Sequence, residues 1–66
     1  MTNIVRTQLN NFICGMVEGA HHTYKGYIIC QDHLAEDEVE CLLESLCIDK
    51  YSKIEIRNKI YITIQG

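Results

Sequence analysis

Apolar residues recur at spacings of three and four over residues 3–20, which predicts a helix with one apolar stripe. The stripe consists of Val5, Leu9, Phe12, Ile13, Met16 and Val17. We expect Thr2 or Asn3 to cap the start of this helix, because their side chains accept hydrogen bonds from free backbone N–H groups. Gly19 suits its C-terminal end.

A strand and a second helix follow. Residues 23–30 are rich in Tyr and Ile and predict a strand, with a bend or bulge at Gly26. Residues 34–48 predict a helix with Asp32 as its N-terminal cap and acidic residues at the positive end of the helix dipole. Its expected core side chains are Val39, Leu42, Leu43, Leu46 and Cys47.

Residues 52–65 predict a β-hairpin whose arms carry Ile54 and Ile56, then Ile60, Ile62 and Ile64. A two-residue turn at Asn58-Lys59 places the two isoleucine sets on opposite faces, and the second set then needs another cover, such as a second subunit. A three-residue loop over 57–59 places all five isoleucines on one face. We favour the three-residue loop, because it gives one consistent apolar face.

The predicted fold is a single α+β domain over residues 1–66, with the element order α-β-α-β-β. Its three-stranded antiparallel sheet carries both helices on one face. A sheet this small leaves two strand edges exposed, so a homodimer is compatible with either hairpin register.

Composition narrows the function. The chain has 66 residues and a formal net charge of −3, which disfavours direct nucleic-acid binding because phosphate contacts need a basic patch. Neither a signal peptide nor a long apolar run is visible, which predicts a cytoplasmic protein with reduced cysteines and no membrane segment. Abundant isoleucine with Asn and Lys is typical of AT-rich genomes, in which short acidic reading frames of phages and mobile elements are common.

The second predicted helix carries the main candidate surface. Acidic residues recur there one turn apart, either as a solvated face that aids solubility or as a docking surface for a basic partner. We favour a small non-enzymatic regulator or inhibitor that docks on a larger protein, such as a nucleic-acid-processing enzyme, with tyrosines of the first strand as anchors. The predicted partner-binding residues are Glu36, Asp37, Glu40, Glu44, Tyr24 and Tyr27.

Three alternatives use other residues. Cys30 and His33, with one histidine of the His21-His22 pair, offer zinc-ligand chemistry, although their spacing matches no known zinc motif and no metal is assigned. Cys30 before a helix could act as a nucleophile, but nearby acidic residues would raise its pKa. Tyrosines interleaved with lysines could stack single-stranded bases.

Overall fold

The computed structural model describes residues 3–65, with side chains from residue 4 onward. Its elements are helix α1 (Asn3–Met16), strands β1 (Ala20–His22) and β2 (Tyr27–Cys30), helix α2 (His33–Ser45), and strands β3 (Tyr51–Ile56) and β4 (Lys59–Ile64). All four strands join one antiparallel sheet in the order β1-β2-β4-β3. The α+β class with an antiparallel sheet is therefore confirmed. The cap predicted at Thr2 or Asn3 rests on side chains outside the described part.

The prediction of three strands in the order α-β-α-β-β was wrong, because β1 forms a hairpin with β2. The predicted strand over 23–30 begins only at Tyr27, since 23–26 make the hairpin turn. The Thr23 and Tyr27 backbones pair across a three-residue loop that ends at Gly26, whose φ is +88°. A glycine in the left-handed region at the end of a three-residue loop is a frequent hairpin solution. The polar Ala-His-His segment becomes a strand through this turn rather than through its own propensity.

Helix α1 ends at Met16, four residues earlier than predicted, and the predicted stripe is buried only in part, at Ile13 and Val17 with Leu9 beside them. Asn10, Ile13 and Val17 are at most 3% exposed, whereas Phe12 and Met16 are more than half exposed. The helix contacts mainly β1, and the missed strand thus explains why the stripe is buried only in part. Gly19 follows the helix with φ +88° and turns the chain into β1.

Helix α2 starts where the sequence predicts. The Asp32 side chain accepts a hydrogen bond of 2.9 Å from the Ala35 N–H, which confirms the predicted cap. The helix ends at Ser45 rather than residue 48, since the Ile48 N–H donates back to the Leu43 carbonyl at 2.8 Å. Cys47 takes the left-handed position that usually holds glycine in this ending, with φ +59°, and is exposed rather than in the core.

The β3–β4 hairpin is confirmed, but the favoured three-residue loop was wrong. Its turn has two residues, Arg57 and Asn58, both with positive φ (+52° and +68°), as the twist-compatible type I′ turn requires. Ile54 consequently pairs with Tyr61 instead of Ile62. The two isoleucine sets point to opposite sides of the sheet, and it is the set on β3 that lacks a cover.

The core lies on one side of the sheet, where both helices pack. Its buried apolar members are Ile13, Val17, Ala20, Ile28, Cys30, Ala35, Val39, Leu43, Ile60, Ile62 and Ile64. We call the opposite side the outer face. By register, its side chains are His21, Tyr27, Ile29, Ser52, Ile54, Ile56, Lys59, Tyr61 and Thr63.

The element order αββ occurs twice, and the sheet order is symmetric about the β2–β4 pair. Each αββ half therefore supplies one central strand and one edge strand. The sequence shows no matching internal repeat.

Candidate functional site

The carboxylates of α2 divide into two groups by direction. Glu36 is buried and Glu40 is half-buried, and both reach the inner side of β3. Asp37, Glu38 and Glu44 are exposed. The acidic residues predicted to form one docking surface are thus divided, because Glu36 and Glu40 point toward β3 and pair with Lys53.

Lys53 joins α2 to the edge strand β3. Its Nζ lies 2.6 Å from Glu36 Oε2 and 2.7 Å from Glu40 Oε1. Glu40 Oε2 also accepts a 3.0 Å hydrogen bond from the Tyr51 hydroxyl, and His33 Nδ1 lies 2.7 Å from Glu36 Oε1. Since Tyr51 and Lys53 both occupy inner positions of β3, α2 rests on this strand through polar side chains rather than an apolar layer.

These contacts shift the titration of the network. The pKa of Glu36 is lowered by its hydrogen bond with Lys53 and then by that with His33. The pKa of Lys53 is raised by its hydrogen bond with Glu36 and then by its hydrogen bond with Glu40. His33, largely exposed, has its pKa raised by its hydrogen bond with Glu36. The charged forms of Glu36, Lys53 and His33 therefore stabilise one another at pH values between the ordinary pKa of glutamate and that of histidine.

An acidic groove of about 440 Å³ opens below the C-terminal end of α2. Its lining is formed by Glu40, Glu44, Cys47, Ile48, Asp49 and Tyr51. No cation among the described side chains makes an ion pair with Glu44 or Asp49. A helix C-terminus also favours positive charge. The groove combines free carboxylates with an aliphatic and an aromatic wall, a combination that suits a basic side chain.

Carboxylate oxygens of Glu36, Asp37 and Glu40 lie within 4.8 Å of one another, which is close enough to hold a metal ion. The Lys53 ammonium already contacts two of the three. A metal ion would have to displace this internal cation, so the trio is explained by the ion pairs themselves.

The alternative zinc residues are not brought together. Cys30 is fully buried in the core, whereas the His33 side chain is 71% exposed. His21 and His22 are adjacent on β1 and therefore point to opposite sides of the sheet. Within residues 3–65, the one cluster of three or more possible ligands is the carboxylate trio, which contains none of these four.

The thiol of Cys30 is poorly suited to nucleophilic attack. Burial raises its pKa to about 11, with further contributions from Cys14 and Glu36. Since the thiolate is the reactive form, this environment keeps the group protonated at neutral pH. Cys41 and Cys47 are exposed by contrast.

Alkylation of the native protein with iodoacetamide at neutral pH should modify Cys41 and Cys47 first, and Cys30 only after unfolding. Peptide mass spectrometry over a time course gives the order, with the same reaction in urea as the control for intrinsic reactivity. Rapid selective labelling of Cys30 in the native state would contradict the buried, protonated thiol and support a thiol enzyme.

The two predicted tyrosine anchors lie away from α2. Tyr24 is fully exposed at the tip of the β1–β2 hairpin, beside Lys25 and near Arg6 in a groove of about 370 Å³. Tyr27 lies on the outer face, where its ring makes an edge contact with Tyr61 at 6.2 Å between centroids. Tyr24 with Arg6 and Lys25 is the arrangement closest to a base-stacking site, but it offers two cations rather than a basic tract.

Sequence reasoning missed the partners that organise this region. Lys53 and Tyr51 are inner-face residues because the hairpin turn has two residues and not the favoured three, and Asp49 belongs to the loop between α2 and β3. The sequence signal available for this turn was the Arg57-Asn58 pair, and Arg-Asn is a weaker indicator of a two-residue turn than Asn-Gly.

Comparisons with protein-family models, with curated proteins and with solved structures found no match. None of the helices in the described range has both the length and the apolar content needed to cross a membrane.

Proposed function

We propose that this protein is a non-enzymatic regulator that binds a larger protein, basic at the contact, through α2 and the acidic groove at its end. The observation that carries the proposal is the groove. Glu44 and Asp49 line it without a cationic partner among the described side chains, whereas Glu36 and Glu40 are paired with Lys53 of β3.

The groove matches the chemistry of an inserted lysine or arginine side chain. Ile48 and the Tyr51 ring provide surface for the aliphatic stem, and an aromatic face also attracts the cationic head. Glu44 and Asp49 then supply charge-assisted hydrogen-bond acceptors. One basic anchor of this kind fixes the position of α2 on its partner.

Exposed carboxylates on the rest of α2 extend the electrostatic match. Asp37 and Glu38 are exposed, and the whole chain carries a formal charge of −3. Such a surface accelerates encounter with a positively charged patch. Proteins that process nucleic acids carry such patches because they bind phosphates. Docking there would block the patch, which is the basis for proposing an inhibitor.

Reversing one groove charge tests the proposal. We expect Glu44→Lys and Asp49→Lys each to weaken binding to the partner at least tenfold, about 1.4 kcal/mol, because each places a cation where the partner's cation inserts. Glu18→Lys makes the same change in net charge on an exposed residue outside the groove and should retain most of the affinity.

The partner is first recovered on the immobilised wild-type protein from a lysate of the source organism and identified by quantitative mass spectrometry. Affinity is then measured with the purified partner for all variants, at low and high salt. If Glu44→Lys and Asp49→Lys bind as tightly as Glu18→Lys, the groove is not the contact and α2 is only a solubilising surface.

A further inference from the structure

We infer that the outer face of the sheet binds a second copy of this chain, forming a two-fold dimer with the helices on the outside. The face carries a contiguous apolar and aromatic surface. Ile54 and Ile56 are 51% and 48% exposed, and register places Ile54, Tyr61 and Ile29 side by side across three strands. This surface lies opposite the acidic groove and is independent of the proposed function.

The distribution of charge favours a second copy as the occupant. None of the outward side chains on the four described strands is acidic. Apart from the titratable His21, the one charged side chain on the outer face is Lys59, at its margin. A basic partner finds no counter-charge there. Two copies of a chain with a charge of −3 can meet at this face without bringing carboxylates together.

The layer geometry keeps the acidic helices apart in such a dimer. Two sheets pack about 10 Å apart, and a helix layer of similar thickness lies behind each, which puts the two α2 helices roughly 30 Å apart. This distance exceeds the Debye length of about 8 Å at physiological salt. Repulsion between the helices is therefore screened, and both acidic grooves stay open to solvent.

The size of the face determines the strength of the association. Four strands about 4.8 Å apart and up to six residues long span roughly 400 Å² in plan. A standard stable interface buries about 800 Å² per partner. The dimer therefore belongs to the weak class and exchanges with monomer as the protein is diluted.

Another apolar surface competes for the same role. Ile4, Val5, Phe12 and Met16 on α1 are between 48% and 72% exposed, and they lie along a single helix. The six-residue edge strand β3 offers a further mode, edge-to-edge pairing. The outer face differs from both because it spans four strands and contains the Tyr27–Tyr61 pair, and aromatic pairs favour interface packing.

Sedimentation equilibrium of the full chain over a wide concentration range tests the inference, with Ile54→Lys and Phe12→Lys as a matched pair. Both substitutions place a charge on an exposed apolar side chain, so neither disturbs the core. Wild type should dimerise reversibly. Ile54→Lys should raise the dimer dissociation constant at least tenfold, and Phe12→Lys should leave it within about twofold of wild type.

Backbone NMR shifts recorded against concentration locate the contact in the same samples. Concentration-dependent shifts at Ile29, Ile54 and Tyr61 support the outer face. The inference is overturned if the wild type stays monomeric, or if the dimer is lost in Phe12→Lys but kept in Ile54→Lys. It is also overturned if the concentration-dependent shifts are confined to the edge amides of β3. These results do not depend on binding at the acidic groove, which is tested with Glu44→Lys.

Discussion

Replacing Ile62 with alanine should lower the free energy of unfolding by about 2–5 kcal/mol, the usual cost of truncating a fully buried isoleucine. Ile62 is 0% exposed and lies on β4 between β2 and β3, facing the helices. A domain of this length has a total stability of roughly 3–10 kcal/mol. The substitution is therefore expected to remove a large share of the total stability and to lower the urea midpoint clearly.

Ile54→Ala is the matched control, because it makes the same truncation in the same hairpin on the uncovered side. We expect it to cost less than about 1 kcal/mol, since half of the side chain is already in water. Urea unfolding followed by circular dichroism at low protein concentration, where the monomer dominates, gives both values. Equal losses for the two variants would instead support the three-residue loop, which places Ile54 and Ile62 on one face.

Replacing Lys53 with methionine should destabilise the fold by about 1–3 kcal/mol at neutral pH. The substitution keeps the aliphatic stem but leaves the Glu36 carboxylate, whose side chain is 9% exposed, with His33 as its remaining partner. Removing one partner of a buried charge usually costs more than the ion pair itself contributes. Glu40 loses the same partner but keeps its bond with Tyr51.

The loss in Lys53→Met should depend on pH in a defined direction. Folding lowers the pKa of Glu36 below its ordinary 4.5, so its ionised form stabilises the wild type above that value, and this contribution disappears as pH falls through the folded pKa. The difference between wild type and variant should therefore shrink in acid. His33 acts in the opposite sense, because its raised pKa gives stability that is present below 6.5 and is lost as pH rises through the folded value.

The double variant Glu36→Leu/Lys53→Met is the control for this interpretation. It removes both charges together, so it should recover to within about 1 kcal/mol of wild type. Urea unfolding at several pH values compares the three proteins. A double variant as unstable as Lys53→Met, or a pH-independent loss, would mean that Lys53 stabilises the protein through packing rather than charge.

Local signals predicted part of this structure well. The second helix followed from its apolar period and the Asp32 cap, and the last hairpin from the alternation of isoleucines. Strand β1 could not be predicted in the same way, because the Ala-His-His segment has little strand propensity and is stabilised by its partner β2 and the turn ending at Gly26. The side of α1 that is buried depended on that missing strand.

The candidate site shows the same division. The acidic helix is visible in the sequence, but a one-residue difference in the hairpin decides which carboxylates remain free. With the turn at Arg57 and Asn58, Lys53 lies under α2 and binds Glu36 and Glu40. Register is a property of the pairing between strands, so it cannot be predicted from the residues of α2.

The twofold αββ order has a consequence for folding kinetics. Each half can close its own hairpin through a short turn, but the β2–β4 pairing joins residues 30 to 36 positions apart, from Cys30 with Ile60 to Tyr27 with Thr63. Closing such a long loop is entropically costly before any contact rewards it. We therefore expect the pairing of β2 with β4 to be the slow step of folding.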